Sequence, residues 1–247
     1  MDQDEALSIL NDFNEILQSE VHVDLERLRL LARHGIPSHI RGEAWKYLLG
    51  IQEADRSKEL TSSKARSEEY EQIDKHDPEI SKRIRGEVSR YLRRTPELQG
   101  NNYPEQLESM SDEYYTNSTI KERVASFMTL FRYVHPELCN YFEDEEVDLN
   151  EWATSWLQHL LAKEMKFENL VRLWDTYFAI PDLLDFHPFV CLAILRIARE
   201  NLEDLEQSEI RTMLLRLPNM DMRGVIAEAY NIRHETMERQ MFEDEHL

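Results

Sequence analysis

Leu149, Trp152, Ala153, Trp156, Leu157, Leu160 and Leu161 recur at i, i+3, i+4 and i+7. That spacing puts seven apolar side chains on one face of a helix. The same period appears at Leu7, Leu10, Phe13, Ile16 and Leu17, at Leu25, Leu28 and Leu31, and at Ile120, Val124, Phe127, Met128 and Phe131. Further amphipathic stretches cover 167–178, 189–202, 210–217 and 225–232. Six glycines in 247 residues leave little material for hairpin turns, and runs of alternating valine, isoleucine and threonine are missing. These patterns predict an all-α fold built as a single multi-helix domain.

Punctuation divides the chain. Gly35-Ile36-Pro37 ends one helix, and Ser38 is the expected cap of a second over 40–51, which carries Trp45, Leu48 and Leu49. Residues 53–78 are polar and charged, a surface helix or loop. Residues 97–117 hold the densest turn signals, Gly100, Asn101, Asn102 and Pro104. The stretch 234–247 is a charged tail expected to fray.

Charge narrows the partners. Lys+Arg is 29 against Asp+Glu 49, a formal net charge of −20. Nucleic acid and bare anionic membrane both reward a basic surface, so neither is the expected main ligand. Cys139 and Cys191 stand in apolar stretches with no CxxC spacing, which predicts reduced core thiols in an intracellular protein and no metal framework. His34 and His39 have no metal-ligating company. The N-terminus, MDQDEALSIL, is acidic and unlike a secretory or transit signal. No apolar run approaches the ~20 residues that span a bilayer.

Against this acidic background, ISKRIRGEVSRYLRRT (80–95) packs five arginines and a lysine into sixteen residues. Asp77-Pro78 starts this helix and Thr95-Pro96 stops it. At about 100° per residue, Ile84, Val88 and Tyr91 fall within roughly 60° as a buried stripe. Arg83, Arg90 and Arg94 align within roughly 40° along its border, while Arg85 and Arg93 point elsewhere. Two readings of the rail stand side by side. Its arginines pair with acids such as the six carboxylates of YFEDEEVDLNE (141–151), their stems covering apolar surface. Alternatively, one planar, permanently charged guanidinium is offered to a transferring phosphoryl group.

The flanking phrases resemble a known family. HGIPSHIRGEAWKYLLG (34–50) is similar to the opening motif of the TBC domain, the helical module of Rab GTPase-activating proteins. The residues that carry it are Gly35, Pro37, Arg41, Gly42 and Trp45. RLWDTYF (172–178), with Trp174 and Asp175, resembles the family's later W-D segment, and LLRLP (214–218) resembles its C-terminal leucine-proline phrase. The resemblance covers roughly 25–233, leaving 1–24 as an N-terminal helical extension and 234–247 as the charged tail.

The resemblance implies docking on a Rab-family GTPase that carries GTP and Mg²⁺, with no cofactor of the chain's own. The family's arginine-finger pattern, I-x-x-D-x-x-R-T, is met by Ile84, Glu87 in place of aspartate, Arg90, and Tyr91 in place of threonine. Arg90 thereby becomes the candidate finger, Glu87 its support, and Arg94 and Arg83 its neighbours at the GTPase. Asp175 is expected as a structural cap or salt-bridge acid. The family's Y-x-Q-G glutamine motif has no counterpart, and 97–117 is too short for the helices normally found there. Binding without activation is therefore an open alternative, as a scaffold or as a plain helical adaptor. The implied location is cytoplasmic, peripheral on endomembranes through the partner.

Overall fold

The computed structural model describes residues 3–72 and 117–244. The arginine-rich stretch 80–95, and nearly all of 97–117, lie outside the described residues. Among those described there are helices and no strand, so the chain is all-α. The chain divides into two compact units, one of residues 1–74 and 171–183, the other of 75–170 and 184–247.

The first unit holds α1 (Gln3–Leu17), α2 (Leu25–Ala32), α3 (Arg41–Leu48), α4 (Glu59–Gln72) and most of α8 (Phe167–Ala179). Phe13, Ile16 and Leu17 of α1 pack with Leu28 and Ala32 of α2 and with Ala44, Tyr47 and Leu48 of α3. Phe13, Ile16, Leu17, Leu28 and Leu48 are positions that helical spacing pointed inward, whereas Ala44 and Tyr47 take the core places on α3, and Leu7 and Leu49 are exposed. Asp24 caps α2 by accepting from the Arg27 N–H at 3.0 Å. Arg56 fastens the turn after α3: its Nε donates to the Ser19 carbonyl at 3.2 Å, its Nη2 to that of Leu17, and its guanidinium lies over the Tyr47 ring. The cap expected from Ser38 is not made; Ile40 opens α3 with no side-chain bond, and the helix ends at Leu48.

The second unit holds α5 (Asn117–Val134), α6 (Pro136–Asp144), α7 (Leu149–His159), nearly all of α9 (Leu183–Leu202), α10 (Gln207–Leu215) and α11 (Met222–Asp244). Its centre is aromatic. Phe127 and Phe131 of α5 and Phe142 of α6 meet Trp152 edge-on at 5.9, 6.2 and 6.2 Å between ring centroids, and Trp156 stands 4.8 Å beyond Trp152. Trp156 donates from Nε1 to the Leu214 carbonyl at 2.9 Å, tying α7 to α10. Asp148 caps α7 and a Glu206/Glu209 capping box starts α10. Both cysteines are buried and free.

Three boundaries differ from the sequence expectation. Leu160 and Leu161 leave the α7 helix for left-handed backbone (φ 48° and 65°), although Leu161 remains buried. Helix α9 begins before Pro188 and carries that proline inside it, with Phe186 and His187 fully buried just ahead. The stretch read as a charged tail is helical as far as Asp244, anchored by buried Thr236 and by the pair of Arg196 with Glu235 at 3.3 Å.

Candidate functional site

Helix α2 ends where Gly35 takes φ +107°, a left-handed value that side chains rarely adopt. A side chain there would also crowd Arg172, since an added Cβ would lie 3.0 Å from its Nε. The turn brings the Ile36 N–H to face α8, and the helix after Pro37 places Arg41 and Trp45 one turn apart on a single face of α3.

All three converge on Asp175, which is wholly buried. Its Oδ2 accepts from the Ile36 N–H at 2.9 Å and from Arg41 Nη2 at 3.2 Å. Its Oδ1 accepts from Arg41 Nε at 3.0 Å and Trp45 Nε1 at 2.9 Å. Arg41 Nη2 also reaches the Ile36 carbonyl at 2.7 Å, closing the ring of bonds. Four donors on two carboxylate oxygens favour the ionised form, while burial pushes the carboxyl above its ordinary range and outweighs the bonds from Arg41 and Ile36.

One turn along α8, Arg172 and Thr176 serve the end of α2. Arg172 donates to Thr176 Oγ1 at 2.8 Å, and both donate to the Arg33 carbonyl, at 3.1 and 2.9 Å. They satisfy an acceptor that the finished helix leaves open. Alongside, Trp45 meets Phe178 edge-on at 5.0 Å and Trp174 at 6.5 Å, giving a partly exposed aromatic trio.

Of the sequence-derived residues, Gly35, Pro37, Arg41, Gly42, Trp45, Trp174 and Asp175 therefore gather in the first unit. Gly42 has nothing within 4 Å of where a Cβ would stand. Arg83, Glu87, Arg90 and Arg94 fall outside the described residues. Arg172 and Thr176 were missed, although their i, i+4 spacing inside RLWDTYF was a usable signal. The acidic stretch 143–151 finds arginines on described helices: Glu143 pairs with Arg132, and Glu151 with Arg211 at 2.5 Å. Among the described residues no group of three metal-ligating side chains forms, and no helix is long and apolar enough to cross a membrane.

The Rab-GTPase-TBC domain family model matches residues 106–203. TBC1 domain family member 22B of Homo sapiens is 30% identical over 136 residues, covering 52% of this chain and 27% of that protein. GTPase-activating protein gyp1 of Schizosaccharomyces pombe is 23% identical over 298 residues, covering 87% and 58%. The chain thus spans between about a quarter and somewhat over half of these relatives' lengths. In fold it matches the Ypt/Rab-GAP domain of Gyp1p with a TM-score of 0.73 at 18% identity, over 91% of this chain and 97% of that one. It also matches the Chlamydomonas flagellar RabGAP TBC domain, with a TM-score of 0.58 at 18% identity, over 92% and 91%. The opening motif and the W-D segment are thus bound to each other through Asp175, and the chain is similar to the Rab-GTPase-TBC domain family over residues 106–203 and shares the fold of the Ypt/Rab-GAP domain of Gyp1p.

Proposed function

We propose that this chain docks on a GTP-bound Rab-family GTPase and accelerates its hydrolysis, with Arg90 as the arginine finger. The observation that carries the reading is the Asp175 junction, which joins the two most specific motifs of the resemblance in one compact unit. The names of the relatives point the same way. The partner supplies GTP and Mg²⁺, and the chain supplies one guanidinium. Charge that develops on the transferring phosphoryl group is met by a permanently cationic fork, which is worth roughly 10³–10⁵ in rate where such a finger acts. By the resemblance, Glu87, three positions before Arg90 in the sequence, would support it, with Arg94 and Arg83 as its neighbours at the GTPase. Action on a Rab would place the chain on the cytoplasmic face of endomembranes, held there by its partner.

A second reading, a GTPase-binding scaffold without activity, is favoured by a separate observation. The alignment with the fission-yeast protein runs over 298 positions yet takes in 87% of this 247-residue chain. Several dozen positions of that relative therefore have no counterpart here, and no Y-x-Q-G glutamine stands in this sequence. Water positioning would then fall to the GTPase alone. The adaptor reading is weaker, because Glu143 and Glu151 already pair with Arg132 and Arg211.

Single-turnover GTP hydrolysis across a panel of Rab proteins, beside GTP-dependent binding, separates these. Stimulation that Arg90→Ala removes while binding persists supports the finger. Binding without stimulation selects the scaffold, and absence of GTP-dependent binding throughout sinks both.

A further inference from the structure

We draw no further inference here: the strongest candidate, the apolar surface patch of the first unit made by the part-exposed rings of Trp45, Trp174 and Phe178 with exposed Leu49 at the end of α3, carries nothing, because nothing in the structure shows what covers it.

Discussion

Asp175 accepts from four N–H donors, and while Arg41 Nη2 also reaches the Ile36 carbonyl, the other three would lose their acceptor without it. Asp175→Asn turns one acceptor into a donor that faces other donors. It should destabilise the first unit by about 3 kcal/mol, measured as a fall in the urea midpoint. Two glycines of the same motif part company. Gly35→Ala meets both a φ of +107° and the Arg172 side chain, so a loss of about 1–3 kcal/mol is expected. Gly42→Ala fills open space on a helix and should stabilise the unit by about 0.5–1 kcal/mol, read as a higher urea midpoint. If Gly42→Ala lowers it instead, the position carries a constraint that its open surroundings do not explain. The motif residues were legible from the sequence, Asp175 among them as an expected cap or salt-bridge acid, whereas its pairing with Arg41, Trp45 and the Ile36 N–H was not. Periodicity speaks of neighbours within a turn or two, and Arg41 and Asp175 stand 134 positions apart.

At the scale of the element, the helices were readable wherever apolar residues kept the 3.6 period, and their ends were not. Leu160 and Leu161 continue the apolar spacing of α7, and spacing alone cannot reveal that both turn left-handed. The apolar period was read over 189–202, yet α9 begins at Leu183 and carries Pro188 inside it, with Phe186 and His187 buried ahead of the proline. That burial has a consequence for pH. His187 donates from Nε2 to the Trp156 carbonyl at 2.9 Å, and His135 faces the Leu192 carbonyl at 3.2 Å. Desolvation pushes each imidazole down to about 4 from an ordinary 6.5. The unfolded chain takes up these protons first, so their contribution is complete above pH 6.5 and is lost as pH falls toward 4. The loss is up to about 3 kcal/mol for each histidine. Denaturation midpoints at pH 7 and pH 5 should differ accordingly, and His187→Gln should flatten that dependence. An unchanged slope in His187→Gln would remove His187 from the account.

At the scale of the molecule, the family motifs and the all-α class were legible, because both rest on side-chain pattern. The division into two units was not, since the first unit recruits 171–183 from far along the chain. Residues 1–74 complete that unit only with the donated segment, and closing so long a loop carries an entropy that local helix pairing does not. The Asp175 junction accordingly sets an order on synthesis. A ribosome delivers Ile36, Arg41 and Trp45 long before it delivers the carboxylate that receives them. Nascent chains stalled with residue 183 clear of the exit tunnel should resist protease within 1–72, and chains stalled short of residue 171 should not. Equal resistance in the two would mean that α1–α3 stand without their latch. Otherwise, for most of its own translation, the first unit of this protein is a half-closed clasp awaiting a part still to be made.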